Sequence, residues 1–321
     1  MNYQESLDFI YGQLPSYQLL GSGAYKENLN NINALLNALD RPEKKTKFVH
    51  IAGTNGKGSS AHAIAAVLQT SNYKVGLYTS PHLKSFRERI KINGDEIEKN
   101  FIIDFVEKYK NIVKNISPSF FEMTVAMAYH YFAENQVDIA VVETGIGGRL
   151  DSTNVIDPEV ALITNVGLDH IDILGNSLEK IAIEKSGIMK RSKPVIIGCF
   201  QDRLTNLFKR ISVQKGAILI QLSDEYKILF KGKGGYNISK DEELLFEQIT
   251  FDIKAKYFIK NIPGILEVIL QLRNRGWQIS QDQITSGLSK IAALTGLKGR
   301  FQILSRYPKV IADISHNIEG F

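Results

Sequence analysis

The stretch FVHIAGTNGKGSSAHAIAAVL, residues 48–68, decides the reading of this chain. Four or five apolar residues run straight into Gly53-Thr54-Asn55-Gly56-Lys57-Gly58-Ser59, and a helix-compatible run follows. A buried strand, a glycine loop and a helix N-terminus together make a phosphate cradle. Backbone N–H groups point at the anion, the helix dipole favours negative charge, and Lys57 can reach terminal phosphates. The string departs from the usual phosphate-loop pattern: Ile51 stands where that pattern has its first glycine, and Gly58 where it has Ser or Thr. The loop is therefore an ATP-site candidate of an unusual subtype. The competing reading is a structural glycine turn.

Composition narrows the class. The chain has 321 residues, 44% hydrophobic and 23% charged, as in an ordinary globular protein of about two domains. No apolar run approaches the ~20 residues of a membrane span. The N-terminal segment lacks a basic-then-apolar signal pattern, so a cytoplasmic location is expected. The single Cys199 excludes an intrachain disulfide and fits a reducing compartment. It follows an apolar run and reads as a buried structural thiol. The net charge of +5 is spread and not interleaved with aromatics. That argues against nucleic acid and suits a pocket for polyanions.

Outward from the loop, short β-branched runs at 47–52, 74–79, 138–143, 159–165 and 194–198 alternate with helix-compatible segments at 60–71, 100–115, 121–135 and 177–190. The alternation predicts an α/β fold with a doubly wound, mostly parallel sheet whose strands are covered on both faces. Four runs lead into polar or glycine-rich segments: the phosphate loop, Thr79-Ser80-Pro81-His82, Glu143 to Asp151, and Asn165 to His170. In open α/β sheets ligands bind at the carboxyl ends of strands, so these segments converge on one site. Residues 220–251 change character, with a hairpin or loop expected at 231–235; helices are expected again at 261–275 and 281–293. A linker follows at 295–300, and 308–313 reads as the first strand of a new unit. Some 25 residues follow Gly296, fewer than a domain needs, so 1–296 is expected to be one domain and 297–321 the start of another.

Glu143, Ser80 and His170 are metal candidates. Magnesium takes a few protein oxygens plus phosphate oxygens, and a carboxylate at a strand end can reach it. His170 is a less natural ligand, and a histidine hydrogen-bonded in a loop is the plainer reading. Lys185 reads as a solvated helix lysine on its own. His62 and His130 lie in helical runs and read as core or surface residues. Arg300, Asp313 and His316 stand out by their places at the linker and at a strand end.

Together these motifs resemble the folylpolyglutamate synthase/dihydrofolate synthase family of Mur-ligase-like ATP-dependent amide ligases. The resemblance rests on HIAGTNGKGS (50–59), YTSPHL (78–83), FFEMT (120–124), ETGIGGRLDSTNV (143–155), ITNVGLDHIDILG (163–175), EKSGI (184–188), GR (299–300) and DISHN (313–317). It covers the chain from about residue 20 onward. It implies an ATPase core, a linker and a Rossmann-like C-terminal domain. Thr54, Asn55, Gly56, Lys57, Gly58 and Ser59 would hold the ATP phosphates. Ser80, Glu143, His170 and Lys185 would serve two magnesium sites, with Lys185 as a carbamate. Asn261 would contact adenine, and Arg300 and Asp313 would reach the nucleotide, with His316 beside them. Lys57, Lys185, Asp313 and His316 would form the catalytic set. Ser80, Pro81, His82, Phe121, Leu150, Asp151 and Ser152 would line the acceptor site, under a mobile lid at 80–86. The implied partners are a folate or dihydropteroate and L-glutamate, and the implied state is a monomer.

Three departures qualify the resemblance. Residues 255–260 (AKYFIK) lack the Gly and Gln usual before Asn261, so adenine recognition would be altered. Asp313-Ile314-Ser315 replaces a Gly/Ala-rich start. The family's C-terminal domain continues for roughly 100 residues more, a normal domain size. Two readings follow: an active glutamate ligase, or a nucleotide- and folate-binding module without turnover. A kinase or GTPase switch is disfavoured, since no guanine-reading Asn-Lys-x-Asp string is present and the Glu143 and His170 segments would go unexplained.

Overall fold

A computed structural model describes residues 1–13, 28–232, 234–315 and 317. Its centre is an eight-stranded sheet of β1 (Lys47–Ala52), β2 (Val75–Tyr78), β3 (Ile90–Ile92), β4 (Asp95–Glu96), β5 (Ile139–Glu143), β6 (Val160–Ile163), β7 (Pro194–Ile197) and β8 (Ile218–Gln221). The order is β4-β3-β2-β5-β1-β6-β7-β8. From β2 to β8 neighbouring strands run parallel, while β3 and β4 are added antiparallel at one edge. β1 lies between β5 and β6, so the chain leaves it in one direction toward β2 and later returns to build the other half. That reversal opens a crevice at the strand ends, where the glycine loop sits.

The apolar runs are strands because both faces are covered. On β1, Val49 and Ile51 pack with the helices Lys57–Thr70 and Ile262–Asn274, while Phe48 packs against Phe120–Glu134. The helix Lys57–Thr70 is buried nearly all round, which its alanines allow by permitting close approach. Further helices, Lys99–Ile116 and Asp202–Lys215, complete the two outer layers.

Of the stretch 220–251, residues 220–221 still belong to β8, and the rest forms a separate antiparallel sheet of β9 (Tyr226–Phe230), β10 (Gly235–Lys240) and β11 (Glu243–Thr250). It is fastened to the helix Ile262–Asn274 by Glu267, which accepts hydrogen bonds from Tyr226 Oη at 3.1 Å and Lys240 Nζ at 2.9 Å. Nearer the C-terminus, β12 (Gln302–Arg306) and β13 (Lys309–Ala312) form a hairpin of their own.

Several boundaries differ from the sequence reading. The helix expected over 60–71 starts at Lys57, because Gly56 caps it in the left-handed region (φ 82°) and Gly58 continues the helix despite its low propensity. The helix expected over 177–190 ends at Lys185 and tightens into a short turn at Ser186–Ile188. The one expected over 281–293 breaks at Lys290. The strand expected at 308–313 is present as Lys309–Ala312, but its partner β12 was not foreseen. No described helix is long and apolar enough to cross a membrane.

Candidate functional site

The carboxyl ends of β1, β5 and β6 open into a cleft of about 730 Å³. One end is the loop Thr54–Ser59. The other is formed by Ser119, Phe120, Phe121, Leu150, Asp151 and Ser152, and the outer wall by Tyr257, Asn261, Arg300 and Asp313. All of the loop residues expected to hold phosphate, together with Ser80, Pro81, Glu143 and His170, line this one space.

The loop is stitched to its neighbours. Asn55 N–H donates to Asn165 Oδ1 at 2.8 Å, and Thr164 Oγ1 donates to Asn55 O at 2.6 Å. Gly56 must be glycine on two counts: its φ is positive, and a Cβ there would overlap the Asn261 amide. Lys57 Nζ folds back onto Gly53 O and Thr54 O at 2.9 and 3.1 Å. Lys185 lies just behind, 3% exposed, and donates to the same Gly53 carbonyl at 2.8 Å. Burial, and then the nearby Lys57 charge, lowers its pKa to about 7. It is therefore not the solvated helix lysine that residue type alone suggests. An amine that is largely neutral at physiological pH can act as a nucleophile.

Glu143 ends β5 and is buried. Its Oε2 accepts the Ser80 N–H at 3.1 Å. Burial raises its pKa, against the opposing pull of Lys57, the Ser80 N–H, Arg300 and Arg89. Among the described residues no group of three or more His, Cys, Asp or Glu side chains gathers in metal-ligating geometry. A magnesium ion that keeps its waters and phosphate oxygens needs only one or two protein oxygens, so Glu143 with Ser80 fits such an ion. His170 sits in the cleft wall, its ring beside Asp169.

At the far end Asp151 is buried and fully engaged. Its Oδ2 accepts the N–H groups of Gly145 and Ile146 at 2.8 and 2.9 Å, and its Oδ1 accepts Thr153 N–H at 2.9 Å. Phe121 packs against the Gly145 backbone so closely that a Cβ there would meet the ring at 2.6 Å. On the outer wall Arg300 Nε donates to Ser59 Oγ at 3.2 Å, and Tyr257 Oη donates to Asp313 Oδ2 at 2.8 Å.

Some expectations fall elsewhere. His82 does not line the cleft; its Nδ1 accepts from Arg89 Nε at 2.7 Å and its Nε2 lies 3.3 Å from Tyr11 Oη. Burial and Arg89 push the His82 ring down to about 4. Cys199 is exposed and lines the cleft, not the core, because β7 ends at Ile197 and the chain then turns into the crevice. His316 lies outside the described residues, as does part of the hairpin turn at 231–235. His62 is a core residue, bonded to Thr295 Oγ1 at 2.7 Å, and His130 packs among Phe101, Phe105 and Tyr109. Arg89 was not foreseen. It is buried, lines the cleft, lies over the Phe120 ring at 5.1 Å, and makes no direct ion pair among the described residues, although its charge is felt by Glu143. Nothing in the local pattern RERIK marks it out from its neighbours.

The family model described as "Mur ligase middle domain" matches residues 51–264. The dihydrofolate synthase/folylpolyglutamate synthase of Bacillus subtilis (strain 168) is 34% identical over 99% of this chain and 74% of its own length. The apo form of L. casei FPGS superposes with a TM-score of 0.87 at 30% identity, covering 100% of this chain and 78% of that one. E. coli FolC in complex with DHPP and ADP gives 0.84 at 29% identity, over 100% and 72%. The chain belongs to the dihydrofolate synthase/folylpolyglutamate synthase family, ATP-dependent ligases built on the Mur ligase middle domain.

Proposed function

We propose that this chain joins L-glutamate to the carboxylate of dihydropteroate or of a folate, with cleavage of ATP to ADP and phosphate. The observation that carries the reading is one continuous cleft. It runs from a phosphate loop, past Lys57, Glu143 and Arg300, to an aromatic end at Phe120 and Phe121. The presence of DHPP and ADP in the E. coli relative supports this placement of acceptor and nucleotide.

The reaction has two displacements. A carboxylate oxygen of the acceptor attacks the γ-phosphorus, the bond from that phosphorus to the β,γ-bridging oxygen breaks, and ADP leaves. The glutamate amine then attacks the acyl carbon, the carbon–oxygen bond to phosphate breaks, and the amine gives up a proton as the amide forms. Lys57 turns from Gly53 O to the phosphates and, with Arg300, offsets the charge on the transferring group. Asn261, which lies against Gly56, would meet the base, and Asp313 would reach the nucleotide; His316 is assigned beside it by the family resemblance alone. Magnesium would be held by Glu143 and Ser80, with His170 and Lys185 serving a second ion, and it neutralises phosphate charge when bound. Lys185 in neutral form adds to CO₂ with loss of one proton, becoming an oxygen anion of the type magnesium prefers. No protein nucleophile is needed. A cytoplasmic setting, a monomeric state and an acceptor site of Ser80, Pro81, Phe121, Leu150, Asp151 and Ser152 belong to the same reading. An exposed Cys199 accords with a reducing compartment.

The test uses an acceptor whose carboxylate carries heavy oxygen. Transfer of one labelled oxygen to inorganic phosphate, together with a glutamyl-extended product, is expected. Product without label in phosphate would overturn the acyl-phosphate route. ATP and acceptor binding without product would instead favour the binding-module reading.

A further inference from the structure

His50 sits in the middle of β1 and is fully buried. Alternation along the strand puts it on the face of Phe48, toward the helix Phe120–Glu134, and away from the helix that follows the phosphate loop. A polar ring there carries a desolvation penalty unless it is hydrogen-bonded. Its Nε2 lies 2.9 Å from Thr153 Oγ1, and Thr153 Oγ1 lies 2.5 Å from Asp151 Oδ1. Three backbone N–H groups already donate to the Asp151 carboxylate. The Thr153 hydroxyl is the fourth donor, so its oxygen is left to accept and His50 carries its proton on Nε2. Nδ1 is then a bare acceptor, and it has no partner among the described residues. Burial, reinforced by Lys190, pushes the ring down to about 3, which keeps it neutral throughout the working pH range. Tyr129 Oη holds Thr153 from the other side, donating to its carbonyl at 3.1 Å. Neither His50 nor Thr153 lines the cleft, yet the chain of bonds they begin ends on Gly145 and Ile146, which do.

We propose that His50 is a positioning residue for the acceptor: through Thr153 it fixes Asp151, and through Asp151 the Gly145–Ile146 turn that faces Phe121. The inference rests on reading this end of the cleft as the pteroyl site. The phosphate loop is held separately, by Asn165 and Thr164. Loss of the His50 donor therefore loosens one end of the cleft and leaves the other intact.

Three variants of the full chain test this: His50→Leu and Thr153→Val, which break the chain of bonds, and His50→Gln, whose amide can still donate from the Nε2 position. Dihydropteroate, a reduced folate and a non-hydrolysable ATP analogue are titrated separately by calorimetry, and thermal melts establish that each variant is folded. His50→Leu and Thr153→Val are expected to weaken acceptor binding about tenfold, the scale of one lost buried hydrogen bond. Nucleotide affinity should stay within about twofold, and His50→Gln should recover most of the acceptor affinity. Should His50→Leu fail to fold, Thr153→Val, which replaces a hydroxyl by a methyl, carries the comparison. A folded bond-breaking variant that binds acceptor as tightly as wild type overturns the inference alone, as does a His50→Gln chain as weak as His50→Leu. Wild-type protein that binds neither acceptor overturns the site reading and the inference with it.

Discussion

The two walls of the cleft are built by different means. The inner wall, from the loop Thr54–Ser59 through Glu143 to Asp151, grows from strands buried on both faces. Its charged groups are fixed by backbone: Glu143 by the Ser80 N–H, Asp151 by three N–H groups, Lys57 and Lys185 by the Gly53 carbonyl. The outer wall is less uniform: Tyr257 and Asn261 come from the turn that leads into the helix Ile262–Asn274, while Arg300 and Asp313 flank the hairpin β12–β13, whose Leu304 and turn residue Tyr307 are 60% and 95% exposed. That hairpin side meets the rest of the cleft through a few side-chain contacts: Asn317 with Asn55 at 3.1 Å, Arg300 with Ser59, and Asp313 with Tyr257. A site fixed by the core of a sheet is organised before ligand arrives, whereas a wall held by a few polar side-chain pairs can move at smaller free-energy cost. Nucleotide binding should therefore depend steeply on the inner wall and mildly on the outer.

Substitutions can break or sharpen that contrast. The largest effect is expected from Lys57→Ala, which should weaken ATP-analogue binding about 100-fold in calorimetry, since it removes the cation nearest the phosphates. A loss below threefold would erase the distinction between the walls. Next comes Lys185→Ala, which should abolish most turnover while the chain stays folded. In the wild type, bicarbonate-dependent activity should rise as pH passes through about 7, where the neutral amine becomes the major form. The sign for stability agrees. The folded pKa lies below the ordinary 10.5, so the unfolded chain binds more protons between the two values, and stability gains with pH across that window. Flat activity from about pH 6 to 8 would argue against an amine with that pKa.

Arg300→Ala, on the outer wall, should weaken nucleotide binding about tenfold, and Tyr257→Phe no more than about threefold. If Tyr257→Phe matched Lys57→Ala, the outer wall would be as rigid as the inner. The smallest effect on binding is expected far from the cleft. Lys240→Met leaves the buried Glu267 without its cation and should lower stability by about 3 kcal/mol in denaturant titration, with nucleotide affinity unchanged.

The same contrast governs what could be read in the sequence. The runs that became β1, β5, β6 and β7 were legible because strands covered on both faces must be continuously apolar. β12 was not, because Gln302–Arg306 is largely exposed and carries no such run. The phosphate loop, Glu143 and the convergence at the strand ends followed from local pattern. The environment of Lys185 did not: residue type says solvated, and only the tertiary fold buries it behind Gly53. His50 and Arg89 were missed for the same reason, since the worth of a buried polar group lies in partners that only the fold brings together, Thr153 for one and Tyr78, His82 and Phe120 for the other. Cys199 was misjudged by extending an apolar run past the strand end, two residues too far into the crevice.

The most direct test of the central claim is ADP release by this chain, with magnesium, bicarbonate and ATP, offering dihydropteroate and a reduced folate separately, with and without L-glutamate. Release that needs both glutamate and one of the two acceptors is the expected result, and the acceptor that works names the step. Release indifferent to glutamate, or none with either acceptor while ATP still binds through Lys57, would contradict it.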